Sequence, residues 1–170
     1  MRKTLALAAV LAALPVTASA QGVASIRPLY ENFRGYLVKA AQQVSEADYA
    51  FKPTPEVRSF GELIGHTANA NFMFCAAVLG EESPNTMDYE KATSKAEIVQ
   101  GIEAAFAYCD KAYAIEDAKA MEEITFFGRK GTRLWVLNFN AMHDAEHYGN
   151  VVTYMRLKGM VPPSSQRGGM

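Results

Sequence analysis

Three histidines are the residues whose types and spacing best indicate chemistry in this chain of 170 residues. His143 and His147 stand four residues apart in a helix-like segment, so their rings project from one face about one turn apart. His66 lies on the apolar face of another predicted helix. Neutral imidazole is a good ligand for zinc, nickel, copper or iron. Three protein ligands would leave coordination positions open for water or substrate, as catalytic rather than structural sites do.

The polar neighbours of these histidines favour a metal site. A metal-bound histidine usually donates its second N–H to an oxygen acceptor. The candidates for that role are Asn69, Asn140, Glu62 and Glu146. The alternative is that each histidine is a hydrogen-bonded core residue or a solvated surface residue. That alternative is the stronger one for a single histidine, but three histidines on two inward faces favour the metal interpretation.

The segment from His143 to His147 also matches H-x-x-E-H, the inverted zinc-protease pattern. In that interpretation Glu146 would activate a zinc-bound water as general base. The protease class needs a further acidic ligand far downstream in a larger domain, whereas 23 residues follow His147 in this sequence. The pattern therefore favours Glu146 as a surface residue or as a hydrogen-bond partner of a ligand.

Four helices are predicted to position these side chains, and the fold class is all-α. Apolar residues recur at spacings of three and four in each segment. Ser59 with Glu62, and Ser94 with Glu97, form capping-box patterns at the starts of the second and third helices. Thr132 can cap the fourth helix. The predicted bounds are residues 24–44, 59–79, 94–115 and 132–158.

Two of the connections between these helices have residue patterns that indicate their structure. Residues 81–93 form a polar connection between the second and third helices. Two glycines around a basic pair, between residues 121 and 132, indicate a turn or short hairpin before the fourth helix.

Residues 1–20 are expected to be a signal peptide. A positive start at residues 2–3 is followed by an apolar run to Val16 and by the small-x-small pattern Ala18-Ser19-Ala20. The run of about a dozen apolar residues is too short to span a bilayer. We therefore expect an exported protein, periplasmic or secreted, with a bundle domain at residues 21–163 and a flexible tail at 164–170.

The charge balance argues against nucleic acid as a partner. Removing Arg2 and Lys3 leaves 15 basic against 18 acidic residues, a formal charge of −3, with no basic stripe. No later apolar run is long enough to cross a membrane. The expected partner is therefore a small molecule of unknown identity.

Cys75 and Cys109 are the two cysteines of the chain. An even number in an exported protein favours a disulfide. The alternative is two buried thiols that pack as small apolar side chains. The residue pattern alone leaves both open.

Four stretches of this sequence resemble the DinB family. In the first half they are YAFKP at residues 49–53 and the capped helix start SFGELIGH at residues 59–66. In the second half NAMHDAEHYG at residues 140–149 runs into RLKGMVPP at residues 156–163. The resemblance covers essentially the whole chain after residue 20.

The resemblance implies a metal site and a fold. By similarity to the family, in which the metal is often zinc or nickel, His66, His143 and His147 would bind one divalent metal ion; iron is a further candidate because imidazole also suits it. The family fold is a four-helix bundle in up-down-down-up order, in which the second and third helices run parallel. Parallel neighbours need a long connection, and residues 81–93 can extend over roughly 40 Å.

The same resemblance implies a disulfide. In parallel second and third helices Cys75 and Cys109 would lie at nearly one level, whereas an antiparallel pair would separate them by roughly 15 Å along the axis. A disulfide needs Cα atoms no more than about 7 Å apart. We therefore expect a Cys75–Cys109 bond.

Characterised members of the family include thiol-dependent S-transferases and a maleylpyruvate isomerase. The resemblance thus implies a divalent-metal-dependent enzyme of the transferase or hydrolase type, with an unknown reaction. The alternative is a non-catalytic periplasmic bundle that binds a metal or small ligand, and pairing into a homodimer is compatible with either. A cleft that leads to the metal would favour the enzyme.

Overall fold

The computed structural model describes residues 22–166, and most of them are helical. The helices are α1 (Val23–Gln43), α2 (Phe60–Leu79), α3 (Lys95–Ala112), α4 (Asp117–Ala120) and α5 (Arg133–Leu157). Short 3₁₀ turns lie at Glu46–Asp48, Tyr89–Lys91 and Pro163–Ser165. The expected signal peptide and the last four residues of the expected tail fall outside the described residues.

A small hairpin lies where the sequence indicated a turn or short hairpin, and its two strands are an addition to the predicted all-α class. Strands β1 (Glu123–Phe126) and β2 (Arg129–Thr132) pair antiparallel. The two turn residues, Phe127 and Gly128, have φ values of 49° and 73°. Positive φ at both central residues is typical of the two-residue turn whose twist matches that of the flanking strands. The bulk of the fold is helical as predicted, and the hairpin leads directly into α5.

The predicted start of α2 is confirmed in detail. Ser59 Oγ accepts a hydrogen bond from the Glu62 N–H at 3.2 Å, and the Glu62 carboxylate accepts one from the Ser59 N–H at 2.6 Å. Both partners of the capping box are therefore present. At the other end Gly80 adopts the left-handed conformation that terminates many helices. These two ends fix the position of His66 within α2.

Helix α3 ends at Ala112, three residues before the predicted end. Tyr113 is buried, and its hydroxyl donates a hydrogen bond to the Leu137 carbonyl at 2.8 Å. Its own carbonyl accepts from the Arg27 guanidinium at 2.9 Å instead of continuing the helical ladder. Contacts with two other helices thus end α3 early.

Helix α2 lies at the centre of the packing, against α3 on one side and α5 on the other, while α1 packs on α5 and α3. Most residues of α2 are buried, including Ile64 and Phe74. Each large apolar side chain buried in this way contributes about 1.5–3 kcal/mol relative to its exposed state. The helix that carries His66 is therefore held from both sides.

A disulfide joins α2 to α3, as the family resemblance implied. It links Cys75 to Cys109, whose Cα atoms are 5.2 Å apart.

The last described residues contact the helices. Ser164 exchanges two hydrogen bonds with Tyr148 of α5, and Gln166 donates to Gln43 at 2.7 Å. Residues 164–166 of the expected tail are therefore in contact with the bundle. Within residues 22–166, no helix has a stretch long and apolar enough to cross a bilayer.

Candidate metal centre

The packing of α2 on α5 brings the three histidines together. Their candidate ligand atoms all lie within 4.8 Å of one another. The Nε2 atoms of His143 and His147 are 2.9 Å apart, and the His66 ring centroid lies 4.9 Å from that of His147. Nitrogen ligands lie about 2.0–2.1 Å from a zinc ion, hence within about 4 Å of one another. Small ring rotations would bring the three nitrogens within reach of one ion.

Burial keeps two of these rings neutral at physiological pH. It lowers the pKa of His143 to about 3 and that of His147 to about 4. Burial is the largest cause of both pKa values, which also include smaller effects: His147, His66 and Arg58 lower the pKa of His143, and His66 and Arg58 lower that of His147 while Glu146 and Glu90 raise it. Because a metal binds the neutral imidazole, these rings are ready to act as ligands without first losing a proton.

The hydrogen bonding of the pair also fits a metal ion. The facing Nε2 atoms of His143 and His147 share at most one proton in the neutral state. The Nδ1 atoms of both rings are buried and have no hydrogen-bond partner among the described residues. Buried polar atoms are rarely left in this state. A cation held between the Nε2 atoms would bind the lone pair of each and leave the ring protons on Nδ1, where neither ring has an acceptor among the described residues.

His66 has a partner that sequence reasoning missed. Its Nδ1 lies 3.0 Å from Glu90 Oε2, and Glu90 Oε1 accepts from Arg58 Nε at 2.8 Å. Glu90 lies in the polar connection, 24 residues beyond His66. The one signal in the sequence that could have pointed to it is glycine at positions 65 and 101, where the helices leave room for this connection.

Two of the four predicted hydrogen-bond partners face other groups. Asn69 donates to Asp88 Oδ1 at 2.7 Å and accepts from the Tyr89 N–H at 3.1 Å, so it holds the polar connection. Glu62 completes the α2 capping box and pairs with Lys52 at 2.9 Å.

Asn140, the third predicted partner, belongs to a buried polar network beneath the histidines. It donates to Asn71 Oδ1 at 3.0 Å and accepts from the Tyr113 hydroxyl at 3.0 Å. Asn71 donates in turn to Asp144 Oδ1 at 2.7 Å.

Glu146, the fourth predicted hydrogen-bond partner, is exposed on α5. Its charge raises the pKa of His147, against the larger effect of burial.

An open cleft of about 570 Å³ reaches one edge of the histidine cluster. His147 forms part of its wall. The Tyr154 hydroxyl donates to the Arg58 carbonyl at 2.9 Å and so fixes the segment that borders the cleft. The charged residues that line it are Lys52, Glu56, Arg58, Glu62 and Glu90. The cleft is large enough for a small molecule and gives it access to His147.

Sequence comparison identifies similar proteins. A family model described as the DinB superfamily matches residues 29–151. The uncharacterized protein YjoA of Bacillus subtilis is 26% identical over 127 residues, which cover 70% of this chain and 79% of that protein.

Three solved structures share the fold. A DinB-like protein from Bacillus cereus superposes with a TM-score of 0.74 at 18% identity, over 85% of this chain and 97% of that chain. The DinB-like YjoA of Bacillus subtilis gives a TM-score of 0.60 at 23% identity, over 79% and 93%. A conserved protein from Enterococcus faecalis gives 0.59 at 19% identity, over 85% and 98%.

Proposed function

We propose that this chain, which belongs to the DinB superfamily, binds one divalent transition-metal ion through His66, His143 and His147. The observation that carries the proposal is the convergence of the three rings from α2 and α5. All three donors are imidazoles, which suit zinc, nickel and iron, and the family resemblance puts zinc or nickel first.

We further propose that the site is catalytic, of the transferase or hydrolase type. The open cleft that reaches His147 supports this, because a purely structural site needs no access for a substrate. A divalent ion bound there would supply a Lewis acid or lower the pKa of a bound water. The histidines would hold the ion, and the cleft would admit a small molecule beside it.

One observation favours a non-catalytic ligand-binding bundle as the second candidate. Two carboxylates that line the cleft are engaged by cations: Glu62 pairs with Lys52, and Glu90 pairs with Arg58. The hydrogen bond from Lys52 lowers the pKa of Glu62, which makes this carboxylate a weaker proton acceptor than a free one. An activity screen with the metal-loaded protein separates the two candidates, since a binding module would retain small ligands without converting them.

The metal content of the protein, purified without an affinity tag, tests the site directly. We expect about one equivalent of metal in the wild type and little in His143→Ala, because two remaining imidazoles bind weakly. Met142→Ala is the matched control, since Met142 is an exposed neighbour on the same helix. A wild-type protein that stays empty after incubation with zinc, nickel and iron salts would contradict the proposal. Full occupancy in His66→Ala would contradict the ligand set.

We also infer an up-down-down-up order for the four long helices. Contacts between α2 and α3 advance in the same direction along both helices, whereas those of α2 with α5 and of α1 with α3 advance in opposite directions. The supporting pairs are Gly61 with Ile98, Cys75 with Cys109, His66 with His147, Phe74 with Phe139, Gln42 with Lys95, and Arg27 with Tyr113. Recovery of a Cys75–Cys109 peptide by mass spectrometry would support the parallel pair, and two free thiols would count against it.

Export is proposed on two grounds, the signal-peptide pattern at residues 1–20 and the disulfide between α2 and α3. Disulfides persist in oxidising compartments and are rare in the cytosol. The mass of the protein recovered from the periplasm tests this, since cleavage after Ala20 would leave a chain that starts at Gln21. An uncleaved chain in the cytosol would contradict it.

A further inference from the structure

We infer that Glu90, held in place by Arg58, is a positioning residue that orients His66 toward the metal ion. The polar connection between α2 and α3, which carries Glu90, then helps to position a ligand of the metal centre. This inference rests on the proposed metal site and goes beyond its three ligands.

The contacts of Glu90 define the orientation of the His66 ring. Glu90 Oε2 lies 3.0 Å from His66 Nδ1, so the carboxylate accepts a hydrogen bond from the tautomer that carries its proton on Nδ1. The proton on Nδ1 leaves the lone pair on Nε2, the atom free to bind a cation. A carboxylate in this position fixes the tautomer and the orientation of the ring.

His66 differs in this respect from the other two histidines. The Nδ1 atoms of His143 and His147 lack hydrogen-bond partners in the part of the chain that the structure describes. Both of those rings are carried by α5 and lie 4.2 Å apart between centroids, so they restrain each other. His66 comes alone from α2 and depends on Glu90 for its orientation.

Arg58 holds the second oxygen of the same carboxylate. Its Nε donates to Glu90 Oε1 at 2.8 Å, and its own carbonyl accepts from the Tyr154 hydroxyl at 2.9 Å. Tyr154 belongs to α5, the helix of the other two histidines. The chain of contacts from Tyr154 through Arg58 and Glu90 to His66 therefore ties the orientation of the third ligand to the helix of the first two.

The backbone around Glu90 is placed by close packing. A Cβ atom at position 65 would lie 2.1 Å from the Tyr89 carbonyl oxygen and 2.7 Å from the Glu90 nitrogen. A Cβ atom at position 101 would lie 2.4 Å from the Tyr89 ring. Glycine at both positions lets the connection lie directly on α2 and α3, at the distance from which Glu90 reaches the residue after Gly65.

Calorimetric titration of the metal-free full protein with Zn²⁺ tests the inference. We expect Glu90→Ala to weaken Zn²⁺ binding by roughly 10- to 100-fold, as loss of a carboxylate behind a histidine ligand usually does. Glu90→Gln should lose less, because its amide oxygen can still accept from Nδ1 but carries no charge. Glu82→Gln is the matched control, an exposed carboxylate in the same connection. The visible absorption of bound Co²⁺ should change in Glu90→Ala and stay unchanged in Glu82→Gln.

The outcomes separate this inference from the proposal beneath it. A wild-type protein that binds neither Zn²⁺ nor Co²⁺ would overturn the metal site itself. Wild-type affinity and Co²⁺ spectrum in both Glu90 variants, in a protein whose binding is abolished by His143→Ala, would overturn only the role of Glu90. Since Glu90→Gln is nearly isosteric, it keeps the test valid if Glu90→Ala folds poorly.

Discussion

Asp144 lies fully buried on the inner face of α5, directly beside His143 in the sequence. Asn71 donates to its Oδ1, while Oδ2 has no hydrogen-bond partner among residues 22–166. Burial raises the pKa of Asp144 to about 8. In the metal-free protein the carboxyl group is therefore mostly protonated at neutral pH, whereas in the unfolded chain it would be ionised.

This shift gives a pH dependence with a definite sign. An aspartic acid in an unfolded chain has a pKa near 3.9, so between about pH 4 and pH 8 the native state binds one proton more. Its contribution to the free energy of unfolding therefore falls as pH rises, by up to about 1.4 kcal/mol per unit. We expect Asp144→Asn, which mimics the protonated form, to gain stability over the wild type from about pH 5 to about pH 7.5.

Urea denaturation of the two metal-free proteins at several pH values measures this difference. The histidines are common to both proteins, so their titration largely cancels in the comparison. Glu146→Gln, on the exposed side of the same helix, controls for the loss of one carboxylate from α5. A difference between Asp144→Asn and wild type that does not vary with pH would contradict the prediction.

The sequence predicted the cluster of His66, His143 and His147 because helical spacing alone places two rings on one face and apolar periodicity turns the third inward. It could not predict the groups behind them. Glu90 reaches His66 from a polar connection whose sequence has no periodicity. Asn71 of α2 donates a hydrogen bond to Asp144 of the neighbouring helix α5. Contacts between elements distant in sequence depend on how closely those elements pack, which a single sequence does not encode in any local pattern.

At the scale of elements, the connection between α2 and α3 can lie directly on both helices because Gly65 and Gly101 have no side chain. Gly65→Ala would place a methyl group against the Tyr89 carbonyl and the Glu90 nitrogen, which are backbone atoms and cannot rotate away. We expect a loss of stability of about 1–3 kcal/mol, typical of overpacking. Zn²⁺ binding should weaken as well, because Glu90 would move away from His66.

Gly35→Ala is the matched control for this change. Position 35 is exposed in the middle of α1, and a Cβ atom there would have no neighbour within 4 Å. Alanine should stabilise that helix by about 0.5–1 kcal/mol. Thermal denaturation and Zn²⁺ titration of both variants check the pair. If Gly65→Ala behaved like Gly35→Ala in both measurements, the close approach of the connection would not be limiting.

The helices were predictable where local chemistry marks their ends, and less so elsewhere. Ser59, Ser94 and Thr132 each accept the expected hydrogen bond from a first-turn N–H. The early end of α3 and the single turn of α4 depend on tertiary contacts, and so do the bounds of the β1–β2 hairpin, which the sequence indicated only as a turn or short hairpin between residues 121 and 132. Phe126 in β1, for example, packs on Phe74 of α2 with ring centroids 5.2 Å apart. Four-residue strands carry too few residues to show a period.

Across the whole molecule, the disulfide and the histidine cluster act on the same helix. Cys75 and His66 both lie on α2, and Cys109 Sγ is 3.2 Å from the carbonyl of Asn71, between them. The side chain of Asn71 then reaches Asp144 on α5. The cross-link therefore restrains the part of α2 that faces both α3 and α5.

Removing this cross-link should destabilise the fold substantially. The bond joins residues 34 apart, and for a loop of that length the chain-entropy model gives a stabilisation of about 4 kcal/mol. We expect the double variant Cys75→Ala/Cys109→Ala to lose roughly 2–5 kcal/mol in urea denaturation, with part of the loss due to the missing sulfur atoms in the core. Single Cys75→Ala should lose a comparable amount, because one substitution already breaks the bond. A double variant as stable as the wild type would contradict this prediction. It would show that the packing of α2 on α3, and not the covalent bond, holds these helices together. In that case Zn²⁺ binding should be unchanged as well.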